Sequence, residues 1–233
     1  MRSNVSKMRA AIVPAMMLLI GALATATFAS TGHNGTEPAV NNRTEVQEAE
    51  QLLANLGYLV SNTDGKLDFM SRHAVMAFQK VENMQRTGVL TASVLERLRN
   101  ASAPAAKFGG PAHVEVDITR QVLFMVDDNG RVRLIVPVST GSGERYYDKT
   151  KKKWEVAYTP RGEFKFERKI NGVRKAPLGS IYYPSYFKEG WAVHGSPSIP
   201  AKPASHGCVR VPRGTDEILF SMMPIGMSIY LYD

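Results

Sequence analysis

The pattern of apolar and polar residues changes its period part way along the chain. Within residues 44–99, apolar residues recur three and four positions apart, which is the spacing of one face of a helix. Turn-forming residues at 62–65 and Gly88 divide them into three stretches. The three apolar stripes are Val46, Ala49, Leu52, Leu53 and Leu56; Ala74, Ala77, Phe78, Val81 and Met84; and Val94, Leu95 and Leu98. The pattern therefore predicts a small three-helix unit.

Capping residues indicate where these helices begin and end. Thr44, followed three positions later by Gln47, resembles a capping box and predicts that the first helix begins there. Gly57 predicts its end, because glycine readily adopts the left-handed conformation that often follows a helix. Ser71 and Thr91 are the predicted N-caps of the second and third helices.

From His113 onwards apolar residues alternate with polar ones, which is the period of a strand with one buried face. Residues 127–130 predict a tight hairpin turn between two such strands. The predicted strands are residues 113–118, 121–126, 131–138, 163–167, 191–194 and 227–232. Residues 216–222 are the one stretch here with helical character. The fold class predicted is α+β, with a small three-helix N-terminal module followed by a β-rich sandwich or partly closed barrel.

The N-terminus has the composition of an export signal. Arg2, Lys7 and Arg9 precede an apolar run, and small residues near the end of residues 1–29 resemble a cleavage site. We expect a cleaved signal peptide. The alternative is an uncleaved membrane anchor, because the uncharged run is long enough to span a bilayer. Both interpretations place the body of the protein outside the cytoplasm.

Composition also sets the remaining boundaries. A stretch rich in Gly, Asn, Thr and Pro predicts a flexible leader over residues 30–43. A second stretch, rich in Ala, Pro and Gly, predicts a linker over residues 100–111. These boundaries leave the helical module at residues 44–99 and the β-rich domain at residues 112–233.

The net charge of the chain is +8, and removing the three positive charges of the N-terminal signal leaves +5. Such a surplus suits an anionic wall or membrane surface, and it also suits nucleic acid. Nucleic acid is not expected as a partner, because the chain has no motif for it and most basic residues are dispersed. The basic run at residues 149–153 is predicted to be a solvated loop. Membrane contact is expected only if the N-terminal segment is retained.

Cys208 is the only cysteine of the chain. In an exported protein it cannot close an internal disulfide, so the thiol is either inert and buried or kept free for chemistry. Two histidines favour chemistry, since His206 lies two residues before Cys208 and His194 lies fourteen residues before it. An imidazole that takes the thiol proton makes the sulfur a strong nucleophile.

The residues around Cys208 suit acyl transfer. Gly195 lets another segment come close to His194, and its carbonyl can hold the second N–H of the ring. The N–H groups of Gly207 and Cys208 can face a developing oxyanion. Arg210 can hold a substrate carboxylate, with a surface ion pair as the alternative. A metal site is not expected, because no third and fourth ligand stand out.

The helical module resembles the peptidoglycan-binding helical module of bacterial wall enzymes. The resemblance covers residues 44–99 and implies a wall-binding role. The matching residues are Leu53, Leu56-Gly57-Tyr58, Asp64-Gly65, Ala74-Val75, Ala77-Phe78-Gln79, Thr87-Gly88 and residues 95–98. The sequence departs from the family at residues 67–71, which replace the usual Phe-Gly and Thr.

The residues around the cysteine resemble the signature of the YkuD-type L,D-transpeptidases. That signature runs from a His through a variable stretch to Ser or Thr, His, Gly, Cys, a hydrophobic residue and Asn or Arg. Here it is His194 followed by Ser205-His206-Gly207-Cys208-Val209-Arg210. Supporting marks are Ser139-Thr140-Gly141, Thr159-Pro160-Arg161-Gly162, Pro177-Leu178-Gly179 and Tyr182-Tyr183. The sequence departs in two ways: only ten residues separate His194 from Ser205, and Arg210 replaces a common Asn.

This resemblance implies a reaction and the residues that carry it. Cys208 is implied to be the acylated nucleophile and His194 the general base. His206 is implied to shape the pocket and the oxyanion site, and Ser205 to fix the loop. Tyr182 or Tyr183 is implied to line a lid over the donor peptide. The thiolate would attack residue three of a peptidoglycan tetrapeptide stem and release D-alanine, and an acceptor amine would resolve the thioester. The resemblance implies no metal or organic cofactor, and a location in the cell wall or periplasm of a bacterium.

Two other functions stay open at this point. A sortase-like transpeptidase also has His, Cys and Arg in this order, although its His lies much farther upstream. A non-catalytic wall protein would bind glycan or peptide through the helical module and carry an inactive β-rich domain. Loss of crosslinking in a Cys208→Ala variant would separate an enzyme from a binding protein.

Overall fold

A computed structural model describes residues 37–233 of the chain. The predicted signal peptide, residues 1–29, and the first part of the predicted leader lie outside the described residues. Within residues 37–233, no helix is both long enough and apolar enough to cross a bilayer.

The three apolar stripes of the N-terminal part form three helices whose inner faces meet in one core. The helices are α1 (Arg43–Asn55), α2 (Phe69–Val81) and α3 (Ala92–Arg99). Leu53, Phe78 and Leu95, one from each helix, are buried together in this core. Gly57 follows α1 with a φ of 91°, so the predicted helix end is confirmed.

A side-chain cap starts each of these helices, but two of the caps differ from the prediction. Asn42, not Thr44, begins α1, and its Oδ1 accepts a hydrogen bond from the Thr44 N–H at 2.9 Å. Asp68, not Ser71, begins α2, and its carboxylate accepts from the Ser71 N–H at 2.8 Å. The predicted cap Thr91 of α3 is confirmed. In the two wrong cases a good acceptor two or three residues earlier uses the N–H of the predicted residue.

The β-rich part consists of two main sheets and a separate hairpin. Its strands are β1 (His113–Asp117), β2 (Val122–Val126), β3 (Val132–Pro137), β4 (Arg145–Asp148), β5 (Lys153–Val156), β6 (Gly162–Lys165), β7 (Arg168–Lys169), β8 (Val173–Ala176), β9 (Gly179–Lys188), β10 (Trp191–Ser196), β11 (Val209–Pro212) and β12 (Ser228–Tyr232). The first sheet has the order β3-β2-β1-β12-β6. The second has the order β11-β10-β9-β7, with β8 also paired to β9, and β4 pairs only with β5.

The two main sheets enclose one apolar core, which makes this part a sandwich. Val116 of β1 meets Phe187 of β9 and Val193 of β10 in that core. The stretch predicted to be helical forms α4 (Thr215–Met222), which packs against the second sheet and contributes Leu219 to the same core. The predicted α+β class is confirmed, with four helices and no closed barrel among the described residues.

The helical module packs on the outer face of the first sheet. Along β2, Leu123 and Met125 enter the sandwich core, whereas Val122 and Phe124 pack against the helices. Every residue of β2 is therefore buried, as in a strand that is covered on both faces. The module and the sandwich thus share a packed interface within the described residues.

Lys80 of α2 crosses this interface with a buried side chain. Its Nζ donates hydrogen bonds to the carbonyls of Gln121 at 3.2 Å and Val138 at 2.9 Å. Burial lowers the pKa of Lys80 to about 7. The sequence shows Lys80 as one charged residue on a helix, and only the packing of α2 on the sheet reveals that it is enclosed.

The predicted leader and linker are both held against the folded parts. Val40 donates its N–H to a carbonyl of the module at 2.8 Å, so the prediction of a flexible leader is wrong for residues 37–43. In the linker, the N–H groups of Lys107 and Phe108 donate to the buried carboxylate of Glu115 at 3.0 and 2.8 Å. Composition missed these anchors because the acceptors lie elsewhere in the chain.

The basic run at residues 149–153 is exposed to solvent, as predicted, and it belongs to a hairpin. Its first four residues form the turn, and Lys153 begins β5. The sequence pattern missed β4 and β5 because charged and aromatic residues fill them in place of alternating aliphatic ones. These two strands lie outside the sandwich core, so burial does not impose the apolar alternation on which the prediction depends.

Candidate active site

Two neighbouring parallel strands bring His194 and Cys208 together. In the pairing of β10 with β11, His194 lies opposite Arg210, and Cys208 is the residue directly before β11. A backbone hydrogen bond with Ala192 of β10 also holds the thiol. Cys208 is two residues before Arg210, so it lies diagonally across the two strands from His194, and neighbouring strands are only about 4.8 Å apart.

Strand alternation sends the site residues away from the sandwich core. Val193 of β10 and Val209 of β11 are paired and point into that core. Their neighbours His194 and Arg210 therefore leave the second sheet on its opposite face. The short apolar strands thus fix both the depth of the site and the face on which it lies.

The imidazole of His194 is buried and held in one orientation. Only 5% of its surface is exposed, and Nδ1 donates to the carbonyl of Gly195 at 2.8 Å, as the sequence predicted. A carbonyl only accepts, so the proton resides on Nδ1 and Nε2 keeps a free lone pair. Burial lowers the pKa of His194 to about 4, which leaves the ring neutral at physiological pH.

The thiol of Cys208 is partly buried and protonated at neutral pH. Burial raises the pKa of the Cys208 thiol, while the Ala192 hydrogen bond and the positive charge of Arg210 act in the opposite direction. The sulfur lies 3.6 Å from the carbonyl oxygen of Gly190 and donates a weak hydrogen bond to it. The pair therefore rests as a thiol beside a neutral imidazole.

Hydrogen bonds of two hydroxyls hold the nucleophile loop in a tight bend. The Ser205 hydroxyl donates to the carbonyl of Cys208 at 2.6 Å and accepts from the Gly207 N–H at 2.9 Å. The Thr159 hydroxyl donates to the carbonyl of Gly207 at 2.6 Å and accepts from the Gly141 N–H at 2.9 Å. These contacts agree with the predicted loop-fixing role of Ser205, which remains a proposal as regards catalysis.

Only glycine fits at position 207, in the centre of this bend. Its φ is 138°, and a Cβ atom there would lie 2.7 Å from both the Tyr158 carbonyl oxygen and the Trp191 Nε1. Both the backbone conformation and the lack of space therefore exclude a side chain. This bend separates His206 from Cys208, so the two residues do not lie in one extended segment.

The prediction of two oxyanion donors needs a correction. The N–H of Gly207 donates a hydrogen bond to the Ser205 hydroxyl, so this N–H is not available to a substrate. Within residues 37–233, the N–H of Cys208 donates no hydrogen bond. Of the two predicted donors, only Cys208 can meet an oxyanion.

A segment after β3 supports the loop from its other side. Ser139 exchanges two backbone hydrogen bonds with Arg210, both 3.0 Å long. The Thr140 carbonyl accepts from the N–H groups of Ala204 and Ser205 at 2.9 Å. The buried side-chain amide of Gln121 holds Thr140 in turn. It accepts from the Thr140 N–H at 2.8 Å and donates to the Thr140 hydroxyl at 2.6 Å. The sequence marks residues 139–141 as similar to the family, but it does not reveal that they support the nucleophile loop.

Gly195 allows α4 to approach β10. A Cβ atom at Gly195 would lie 1.9 Å from the Oδ2 of Asp216, so only glycine fits. Asp216 is buried, and its Oδ2 lies 2.9 Å from the Nε of Arg213. Gly195 therefore acts by holding the His194 ring through its carbonyl and by admitting a carboxylate behind the strand.

His206 lies in the wall of a cavity beside the nucleophile loop. The cavity has a volume of about 470 Å³, and Arg145, Tyr146 and Ser205 also line it. The ring of Tyr146 meets that of His206 edge-on, with 4.6 Å between their centres. Burial lowers the pKa of His206, so this imidazole too favours its neutral form. Tyr146 was not among the residues predicted from the sequence.

Arg210 is half-buried and its side chain has no carboxylate partner. None of the ion pairs within residues 37–233 includes it, which disfavours the alternative of a surface ion pair. Burial lowers the pKa of Arg210, and the Cys208 thiol acts in the opposite direction. The guanidinium is thus an uncompensated cation close to the sulfur.

Tyr182 and Tyr183 lie on β9, and the structure turns both rings towards the α4 side. The Arg213 guanidinium stands 3.7 Å from the centre of the Tyr182 ring. The Tyr183 ring packs edge-on against Phe220 of α4, with 5.6 Å between their centres. These contacts do not group the two rings with Cys208, and their contact with a donor peptide stays a prediction.

The chain is similar to two known protein families and to solved structures. The L,D-transpeptidase catalytic domain family (YkuD) matches residues 111–231, and a peptidoglycan-binding domain family matches residues 42–98. A crystal structure of an L,D-transpeptidase from Xylanimonas cellulosilytica is 37% identical, covers 85% of this chain and 97% of its own, and superposes with a TM-score of 0.77. An L,D-transpeptidase from Stackebrandtia nassauensis is 22% identical, covers 85% of this chain and 95% of its own, and has a TM-score of 0.49.

The comparison with curated proteins finds no match. The catalytic-domain family alone spans more than half of the chain, and the structure from Xylanimonas cellulosilytica extends the similarity through the helical module. The chain therefore belongs to the YkuD-type L,D-transpeptidase family, and it carries a peptidoglycan-binding domain ahead of its catalytic domain.

Proposed function

We propose that this transpeptidase forms peptidoglycan crosslinks through a thioester on Cys208. The observation that carries the proposal is the β10–β11 register: His194 lies on β10 and Cys208 directly before β11. The His194 ring is neutral and oriented, and the thiol is partly exposed. The donor is a tetrapeptide stem and the leaving group is D-alanine. The two peptidoglycan-acting domains support a location in the cell wall or periplasm, and we propose that residues 1–29 direct the export.

In the first half-reaction the thiol is acylated and becomes a thioester. Nε2 of His194 takes the thiol proton as Sγ attacks the carbonyl carbon of the third stem residue. The charge that develops on the carbonyl oxygen meets the N–H of Cys208. As the C–N bond to D-alanine breaks, His194 returns its proton to the departing amine, which leaves a thioester and a neutral ring.

In the second half-reaction an amine resolves the thioester. The acceptor is the side-chain amine of a diaminopimelate on another stem, and His194 removes a proton as the amine attacks. The C–S bond breaks and the proton returns to Sγ, which restores the thiol. The acceptor must outcompete water, and the enclosing His206 and Tyr146 support exclusion of solvent from the acyl-enzyme.

Arg210 is proposed to hold a carboxylate of the donor stem. Its guanidinium lies near the sulfur, is half-buried, and has no protein carboxylate beside it within residues 37–233. An arginine binds a carboxylate through two parallel hydrogen bonds, so it can orient the peptide as well as attract it. The proposed partners are thus peptidoglycan stem peptides, without nucleic acid, and with the membrane only if the N-terminal segment is retained.

Intact-mass spectrometry tests the proposed function. The purified protein is mixed with a tetrapeptide and, separately, with a carbapenem, a β-lactam expected to acylate the same sulfur. We expect a covalent adduct on the wild type and none on Cys208→Ala, because the chain has no other thiol. Absence of any adduct on folded wild-type protein would overturn the thioester mechanism.

The helical domain supports wall binding as a second candidate role. A match to a peptidoglycan-binding family favours retention of the protein on the wall independently of catalysis. A pure wall-binding protein would keep its wall affinity and its phenotype in Cys208→Ala, whereas the enzyme would keep affinity and lose crosslinking. The sortase-like alternative loses its basis, because the chain belongs to a different family.

A further inference from the structure

The β4–β5 hairpin carries an exposed aromatic face. The register pairs Tyr147 with Trp154 and Arg145 with Val156. Paired residues and residues two apart share one face of an antiparallel ribbon, so these four side chains lie together. Tyr147 is 47% exposed and Trp154 is 60% exposed, although both are large apolar rings. We call these four residues the aromatic face.

The opposite face of the same hairpin belongs to the active site. Tyr146, which lies between the two residues contributed by β4, packs on His206 and lines the cavity beside the nucleophile loop. The hairpin thus has an inner face engaged with the site and an outer face that no described residue covers. Of the four residues of the aromatic face, only Arg145 also lines the cavity; Tyr147, Trp154 and Val156 do not.

The aromatic face continues towards the nucleophile. Tyr158 follows Val156 by two residues, is also exposed, and packs edge-on against Trp191 with 5.6 Å between ring centres. The Tyr158 carbonyl and the Trp191 ring are the groups that crowd Gly207, one residue before Cys208. Exposed aromatic residues therefore extend from the hairpin to the segment that packs on Gly207, the residue before Cys208.

Unpaired cations surround this apolar surface. Lys151 and Lys153 both contact Glu155, at 3.2 and 3.1 Å, but none of the ion pairs within residues 37–233 includes Arg145, Lys149 or Lys152. The Arg145 guanidinium stands 5.4 Å from the centre of the Trp154 ring. The matching partner has flat apolar faces and negative charges.

We propose that the aromatic face binds the glycan strand of polymeric peptidoglycan. The apolar faces of the pyranose rings would stack on Trp154 and Tyr147, and carboxylates of the stem peptides would meet Arg145 and the free lysines. This inference rests on the proposed function, because the bound strand is the one whose stem reaches Cys208. It gives the enzyme a preference for polymeric over soluble donors.

The test compares a polymeric and a small donor on Trp154→Ala. Loss of one stacked aromatic ring is expected to lower kcat/KM on purified peptidoglycan strands by about tenfold. On a soluble tetrapeptide, and in acylation by a carbapenem, we expect a change of less than about twofold, since neither contacts the hairpin's outer face. Trp154→Phe should recover most of the polymer activity, because it retains a ring.

Ile225→Ala is the matched control, since Ile225 is a large apolar residue that is 63% exposed between α4 and β12. It should leave both donors unaffected. Wild-type polymer activity in Trp154→Ala would overturn the inference, as would an equal loss on all donors. If Trp154→Ala reduced sedimentation with phosphatidylglycerol vesicles but not turnover of strands, the surface would be a lipid site. A wild type that is not acylated at all would instead overturn the proposed function.

Discussion

At the residue scale, the proposed chemistry depends on an imidazole that is neutral and oriented before the substrate arrives. The Gly195 carbonyl keeps the proton on Nδ1 of His194, and burial lowers the pKa of the ring to about 4. Burial raises the pKa of the Cys208 thiol at the same time. Both groups are therefore uncharged at neutral pH, and the proton moves only as a carbonyl is attacked.

This state predicts an unusual pH dependence. The rate of acylation by a carbapenem should stay level between about pH 5 and pH 8, because the thiol–imidazole form dominates throughout that range. Below it the rate falls as His194 becomes an imidazolium, and above it the rate rises as thiolate forms. Intact-mass time courses at each pH measure this profile.

His206→Gln provides the control for that profile, since it removes the other imidazole near Cys208 and keeps His194. The variant should retain the level region. A loss of rate centred near pH 6.5 in both proteins would contradict the prediction. It would mean that His194 titrates like an exposed histidine.

At the element scale, one hydroxyl joins three segments that are far apart in sequence. Thr159 donates to the Gly207 carbonyl of the nucleophile loop and accepts from Gly141 after β3. The hydrogen bond from Thr159 to the Gly207 carbonyl is buried, so that carbonyl loses its partner if the hydroxyl is lost. The position of Cys208 thus depends on a residue outside its own strand.

Thr159→Val tests this dependence with a side chain of the same shape. It leaves a buried carbonyl and a buried N–H without partners, which should lower the free energy of unfolding by about 2–4 kcal/mol. Acylation of the remaining folded protein should slow by at least about tenfold, because the loop loses its anchor. Urea denaturation and mass-spectrometric acylation measure the two effects.

Thr159→Ser keeps the hydroxyl and should retain most of the acylation rate. If Thr159→Val reacted at the wild-type rate while being destabilised, the hydroxyl would contribute to folding alone. If neither property changed, the two short hydrogen bonds would not be important for this loop.

At the scale of the whole molecule, the helical module and the sandwich are joined by a shared sheet face. β2 and β3 place alternate side chains in two cores, and Lys80 crosses from α2 to two carbonyls of the sheet. A lysine amine has enough N–H groups for both carbonyls even without its extra proton. The contact therefore tolerates the lowered pKa that burial imposes on Lys80.

Lys80→Met tests the energetic effect of this buried amine through its pH dependence. The unfolded chain binds the proton with a pKa near 10.4, and the folded protein binds it with a pKa of about 7. At a pH between these two pKa values, the chain takes up a proton when it unfolds. Lys80 therefore makes the free energy of unfolding rise with pH by up to about 1.4 kcal/mol per pH unit. Lys80→Met should lack this rise.

Urea denaturation of both proteins between about pH 7 and pH 9 measures the difference. Lys66→Met is the control, because Lys66 is an exposed lysine of the same module and should not alter the slope. Parallel stability curves for the wild type and Lys80→Met would contradict the prediction. They would indicate that Lys80 keeps its proton in the folded state.

The sequence predicts most of the elements in which the spacing of apolar residues follows the buried face. The stripes of α1, α2 and α3 and the alternation of β1 and β12 depend on spacing within one segment, which the sequence displays. The sequence pattern did not predict β4 and β5, whose faces are aromatic and charged. It also placed the starts of α1 and α2 two or three residues too late, because Asn42 and Asp68 are the actual N-caps. In each case a competing side chain or a different environment outweighed the local pattern.

Residue types and their order are enough to specify the chemistry available to this protein. A single thiol, two nearby imidazoles and the glycines around them are properties of residue type and order, and they suffice to identify the family. Which of these groups are free to act depends on the folded arrangement of the chain. Ser205 occupies the N–H of Gly207, Gly195 orients His194, and α2 encloses Lys80, because the partner or the covering surface in each case is set by how the backbone bends and packs.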